Sequence, residues 1–215
     1  MKQVFFLDFD GTVTKDDVVA TMVKKFCRPG WKELNDQWER GELSTEQVAN
    51  KTFQLFDATI TDIYRLLDTI ELDDYFADFV QLCNDKNYSI YILSDGYGLL
   101  IKYILQRHGL GDLVVYANEL VADNSGYSIS CTHLNDQCGK CGTCKKTLLH
   151  KLKEKSTLAV YAGDGYSDTC VCHEADVVFA KNSLLSYCQD KNVPAIPYTS
   201  FKDIIQWIKK RPTNC

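Results

Sequence analysis

Short apolar runs recur along the chain at intervals too wide for hairpins: VFFL at 4–7, YSIYIL at 88–93, TLAVYA at 157–162 and DVVFA at 176–180. Runs of this length, rich in β-branched and aromatic residues, predict buried strands. Elsewhere the apolar positions fall three and four apart, which predicts helices near 75–86, 97–108, 145–154, 183–191 and 201–210. Strands alternating with helices predict an α/β fold, a parallel sheet wrapped by helices. Two stretches break the alternation. Residues 16 to about 73 carry no strand signal, and VVATMVKKF, WKELNDQWERG and STEQVANKTFQLF predict short amphipathic helices, with Ser44 and Gln47 spaced as a capping box. Residues 118–144 combine the turn-prone DNSG with a group of cysteines and predict a small irregular insertion. The expected organisation is a Rossmann-like core, 1–13 and 74–215, with a Cys-rich insertion at about 118–144 and a helical insertion at 14–73.

Composition narrows the partners. The 215 residues carry a formal charge of −5, with lysines and arginines scattered along the chain. That speaks against nucleic acid and anionic membrane surfaces while leaving small anionic substrates open. The N-terminal MKQVFFLDFDG lacks a signal-peptide pattern, and no run approaches the roughly 20 apolar residues of a membrane span. A cytoplasmic setting is expected, so the ten cysteines are read as reduced or metal-bound. Oligomeric state is left open.

Three strand ends carry polar residues that make sense together: Asp8-Phe9-Asp10-Gly11-Thr12, Ser94-Asp95-Gly96, and Gly163-Asp164-Gly165-Tyr166-Ser167-Asp168. In open α/β sheets, ligands bind beyond the carboxyl ends of the strands. Carboxylates from two strands suit one Mg²⁺, and lysine, serine and turn N–H groups suit a phosphate, so the set describes phosphoryl transfer. Alone, the Asp8–Asp10 pair is equally a helix cap and a turn. The second carboxylate-bearing strand end and the lysine tip the balance. Of Lys145 and Lys146, Lys145 lies three, four and seven residues before Leu148, Leu149 and Leu152 and shares their buried face. A lysine there needs an anion, so Lys145 is the expected phosphate ligand. Trp31, Trp38, Phe53 and Phe56 are expected in the core of the helical insertion.

The chain resembles the haloacid dehalogenase superfamily, whose four motifs match DFDGT, LSDG, CKK and GDGYSD in order. The resemblance runs end to end. RPGWKELNDQWERGELS, CGTCKK and GDGYSDTCVCHEADVVFAKNSL are most similar to the hydroxyketo-methylthiopentenyl-phosphate phosphatase group. Phosphoserine and phosphocholine/phosphoethanolamine phosphatases are less similar. The resemblance implies Asp8 as nucleophile, forming an aspartyl-phosphate, and Asp10 as general acid and base. It implies Mg²⁺ on Asp8, the Asp10 carbonyl and Asp164, with Asp168 fixing the metal's waters. Ser94 and Lys145, with Thr12, Asp95 and Gly96, would hold the phosphoryl group. Residues 14–73 would form a cap that selects a small phosphorylated metabolite. Two other readings remain, a mutase and a metal-binding scaffold or sensor that uses the cysteines.

Cys131, Cys138, Cys141 and Cys144 could ligate a structural Zn²⁺. Their overlapping spacing also fits an iron–sulfur cluster, free thiols or a labile disulfide. Cys27, Cys83, Cys170, Cys172 and Cys188 are expected as small core residues.

Overall fold

The computed structural model describes residues 2–123, 126–135 and 141–211. Among them, seven strands form one sheet: β1 (Gln3–Leu7), β2 (Ser89–Tyr97), β3 (Val114–Asp123), β4 (Gly126–Ser130), β5 (Leu158–Gly163), β6 (Val177–Ala180) and β7 (Ile196–Pro197). Their order is β4-β3-β2-β1-β5-β6-β7, and only the β3–β4 pair is antiparallel. β1 has no polar residue in VFFL because neighbours cover both its faces. Phe5 and Leu7 join a core with α5 (Phe76–Asp85) and α9 (Phe201–Lys210), where Phe5 meets Phe79 edge-on at 5.1 Å. Val4 and Phe6 pack on the other side against Leu148 and Leu149 of α7 (Lys145–Leu152). Helices α6 (Gly98–Arg107) and α8 (Asn182–Asp190) complete the layers. The strands and helices expected from periodicity are all present.

Residues 114–130 depart from the expectation. Much of what reads as an irregular insertion is the β3–β4 hairpin, paired Leu120 to Ile129. Those two side chains are buried, while Glu119, Val121, Ser128 and Ser130 face solvent. The polar Asn118 and Glu119 divide β3 into two short apolar pieces, VVYA and LVA, and β4 alternates, so the hairpin lacks one long run.

Between β1 and α5 lie four helices: α1 (Val18–Phe26), α2 (Trp31–Glu39), α3 (Thr45–Gln54) and α4 (Ile60–Leu67). Asp17 caps α1, the expected Ser44–Gln47 box opens α3, and a second box, Thr59–Asp62, opens α4. Phe53 is buried, stacks on Phe56 at 4.5 Å and meets Tyr97 and Tyr127 at 5.2 Å, whereas Trp31 and Trp38 are half-buried.

Asn50 of α3 fastens this segment to the sheet. Its Nδ2 donates to the Ile129 carbonyl at 2.8 Å, and its Oδ1 accepts the Ile129 N–H at 2.9 Å. The side chain thus mimics a neighbouring strand on the open edge of β4. Glu46 adds a carboxylate to the Cys131 N–H at 2.7 Å. Asn50→Ala leaves two backbone groups without these partners, and a loss of about 1–3 kcal/mol is expected. Thermal melts should show a fall of roughly 2–4 °C for each kcal/mol in a chain of this size. An unchanged melting temperature would mean water replaces the bridge.

Cys83, Cys172 and Cys188 are buried as expected, but Cys27 is half-buried and Cys170 exposed. Among the described residues no helix is long and apolar enough to cross a membrane.

Candidate active site

β1 ends at Leu7, but the Asp8 N–H continues the pairing by donating to the Ala162 carbonyl at 2.9 Å. The chain then turns tightly: the amides of Thr12, Val13 and Thr14 converge on the Phe9 carbonyl at 3.2, 2.9 and 3.0 Å. Gly11 makes the turn possible with φ +70°, and a Cβ there would stand 2.7 Å from Asp164 Oδ2. Asp10 is held on both oxygens. Oδ1 accepts the Val18 N–H at 2.9 Å, and Oδ2 accepts the Ser94 hydroxyl at 3.3 Å. Burial, aided by the charge of Asp17, pushes the Asp10 carboxyl up to about 7.

Lys145 opens α7 on the face of Leu148 and Leu149, and its side chain is 1% exposed. Its Nζ donates to Asp8 Oδ1 at 2.6 Å, Asp168 Oδ1 at 2.6 Å and Ser167 Oγ at 2.9 Å. Lys146, 46% exposed, pairs instead with Glu174. Burial opposes the Lys145 charge, but Asp168 and Asp8 outweigh it and raise its pKa. The Asp8 carboxyl is raised well above the ordinary value, by burial first and then by the Asp168 charge, against the pull of Lys145. Asp168 is fully engaged by protein donors. Besides Lys145 it accepts Tyr161 OH at 2.5 Å and the Asp164 and Gly165 amides at 2.9 and 3.0 Å.

Oxygens of Asp8, Asp164 and Asp168 lie within 4.8 Å of one another. Burial raises the Asp164 carboxyl too, against a hydrogen bond from Asn182 Nδ2 at 3.2 Å. Partly desolvated carboxylates facing each other form an all-oxygen donor set that suits a hard divalent cation.

The structure thus brings Asp8, Asp10, Ser94, Lys145, Asp164 and Asp168 together at the carboxyl ends of β1, β2 and β5. The other residues expected at the phosphate have neighbours within the protein. Thr12 is fully buried with its hydroxyl beside that of Tyr198. Asp95 Oδ1 accepts the Thr143 N–H at 2.6 Å, and the Gly96 N–H donates to Ser94 Oγ at 2.9 Å. Sequence reasoning did not assign Ser167, Tyr161 or Asn182. All three sit in or beside the quoted motifs, but only the fold shows which carboxylate or ammonium each meets.

Cys138 lies outside the described residues. Of the remaining cluster, the Cys144 thiol bonds Thr147 Oγ1 at 3.1 Å, and burial followed by the Glu46 charge pushes Cys131 up to about 11. Among the described residues the metal-like grouping is the aspartate one, and structural zinc is not supported.

Fold and site together define a phosphatase of the haloacid dehalogenase type. The chain belongs to the family described as Putative Phosphatase, which matches residues 3–195. It is 30% identical over 203 residues to proteins named 2-hydroxy-3-keto-5-methylthiopentenyl-1-phosphate phosphatase from Bacillus thuringiensis (strain Al Hakam) and Bacillus anthracis (strain A0248), over 93% of this chain and 92% of theirs. A solved phosphoserine phosphatase, trapped as a phospho-aspartyl intermediate analogue, shares the fold with TM-score 0.68 at 18% identity, over 96% of this chain and 98% of that one. A HAD family hydrolase from Salmonella enterica serovar Typhi does so with TM-score 0.74 at 16% identity, over 98% and 72%.

Proposed function

We propose that the protein hydrolyses a small phosphomonoester through an aspartyl-phosphate on Asp8. The observation that carries this reading is the buried Lys145 ammonium, shared at 2.6 Å by Asp8 and Asp168 within reach of Asp164. An Asp8 carboxylate oxygen attacks phosphorus while the bond from phosphorus to the leaving oxygen breaks. Asp10 gives its proton to that oxygen, which departs as an alcohol. A water then attacks phosphorus and gives a proton to Asp10. The bond from phosphorus to the Asp8 oxygen breaks, releasing inorganic phosphate and restoring both carboxyl groups. Lys145 and Ser94 hold the charge that builds on the transferring phosphoryl oxygens. Mg²⁺ would be held by Asp8, Asp164 and the Asp10 carbonyl, and when bound it supplies charge neutralisation between carboxylate and phosphate. Asp168, with its lone pairs occupied, orients Lys145 and the loop that carries Asp164.

In this reading, residues 14–73 act as a cap over a core of 1–13 and 74–215. Trp38 of α2 meets Tyr166 of the catalytic loop edge-on at 6.5 Å, and Tyr166 is otherwise 68% exposed. An aromatic edge beside the phosphate favours an apolar leaving group, in keeping with the thioether substrate in the Bacillus relatives' name. The test is phosphate release with Mg²⁺ from 2-hydroxy-3-keto-5-methylthiopentenyl-1-phosphate, phosphoserine, phosphocholine and phosphoethanolamine. The first is expected to have the highest kcat/KM. No hydrolysis by the folded protein would overturn the reading.

The Asp10 role has its own test. Asp10→Asn should cost about a hundred- to ten-thousand-fold in kcat/KM, which reports formation of the aspartyl-phosphate and not its hydrolysis, on an alkyl phosphate. Much less should be lost on p-nitrophenyl phosphate, whose leaving group departs without a proton. An equal loss on both substrates would remove Asp10 as the acid.

A further inference from the structure

The described residues of the segment that delivers Lys145 have almost no regular structure of their own. Residues 131–135 and 141–144 hold a single bridge, His133 to Thr143, with the Cys144 N–H donating to the His133 carbonyl at 2.8 Å. The segment is held by polar side chains from two neighbouring strands. Asp95, next to Ser94 on β2, accepts the Thr143 N–H on Oδ1 at 2.6 Å. The Thr143 hydroxyl donates to Asn118 Oδ1 on β3 at 3.2 Å, and Asn118 Nδ2 donates to the Asp95 carbonyl at 2.7 Å. Three residues thereby close a ring of hydrogen bonds. Thr143 and Asn118 are 0% and 2% exposed, so water is a poor substitute. Gly142 completes the fit, because a Cβ there would lie 2.7 Å from Asn118 Oδ1 and 2.9 Å from Cys131 Sγ. The ring is no cation site, since Asp95 is already occupied by an N–H.

The ring touches both sides of the phosphate site. Thr143 stands two residues before Lys145, and Asp95 directly follows Ser94. We propose that Asn118 and Thr143, closed on Asp95, are positioning residues that set the Lys145 ammonium against Asp8. This rests on the reading that Lys145 acts on the phosphoryl group. The Cys-rich segment then serves catalysis through its backbone geometry.

The test pairs Thr143→Val, which keeps the shape and removes the hydroxyl, with Thr143→Ser, which keeps the hydroxyl. Phosphate release from p-nitrophenyl phosphate with Mg²⁺ is measured well below the melting temperature of each variant. Thr143→Val should lower kcat by roughly 10- to 100-fold, the scale expected when a catalytic group is displaced by about an ångström. Thr143→Ser should stay within a few-fold of the parent. In a Lys145→Ala background the Thr143→Val factor should vanish, because a positioning residue has nothing left to position. Should Lys145→Ala fail to fold, Lys145→Arg closes the same cycle with a shrunken factor. Equal factors in both backgrounds, or no loss from Thr143→Val, would overturn the proposal. A second readout stands apart from turnover: acetic anhydride labelling of Lys145, read by mass spectrometry. Labelling should be several-fold faster in Thr143→Val than in the parent or Thr143→Ser, and equal rates would overturn the clamp. An inactive parent with this labelling pattern intact would sink the phosphatase reading alone.

Discussion

Asp8→Asn is expected to abolish phosphate release, by on the order of 10⁴-fold or more, as loss of a nucleophile does in well-studied hydrolases. An amide oxygen is too poor a nucleophile to form the acyl-phosphate. The folded state should not suffer. One ammonium, on Lys145, faces two buried carboxylates, on Asp8 and Asp168. Removing the Asp8 charge leaves a balanced pair, with Tyr161 and two amides still on Asp168. The melting temperature of the metal-free variant should therefore equal or exceed that of the parent. Phosphate release and a thermal melt on the same sample check both halves. Substantial residual turnover would remove Asp8 as the nucleophile. A sharp loss of stability would show that the Asp8–Lys145 pair is part of the framework.

Lys145→Met should do the reverse and harm both properties. It leaves two carboxylates facing each other without their cation, and breaking a buried pair in this way costs about 3–5 kcal/mol. For a chain of this length that is a fall of roughly 6–20 °C in melting temperature. Activity should drop by at least a hundred- to a thousand-fold, the scale for losing one preorganised donor to a transition-state oxyanion. Adding Asp8→Asn to Lys145→Met should return much of the stability and none of the activity. A double variant no more stable than Lys145→Met would show that the methionine's packing causes the loss.

The convergence of Asp8, Asp10, Ser94, Lys145, Asp164 and Asp168 was legible because the sheet imposes it. Ligand-bearing strand ends in a parallel α/β sheet fall on one side, so motifs far apart in sequence had to converge. Helical periodicity also separated Lys145 from Lys146 before any geometry was known. What stayed hidden depends on contacts without a local period. The Asn118–Thr143 bond spans 25 residues and the Asp95–Thr143 bond 48. Tyr161 reads as one more apolar strand residue until its hydroxyl is seen on Asp168. The cysteine spacing suggested a metal because ligand type and spacing say nothing of how the intervening backbone turns.

The contact between Lys145 and Asp8 joins residues 137 positions apart. During synthesis, Asp8 and Asp10 leave the ribosome with the first strand, while the lysine and the GDGYSD loop follow only after most of the chain has emerged. Asp8 therefore cannot meet its ammonium until the lysine has been made, and burying its charge before then carries the full desolvation cost. Long closures of this kind slow folding. Fragments that end before residue 168 lack one of the two carboxylates that hold the Lys145 ammonium.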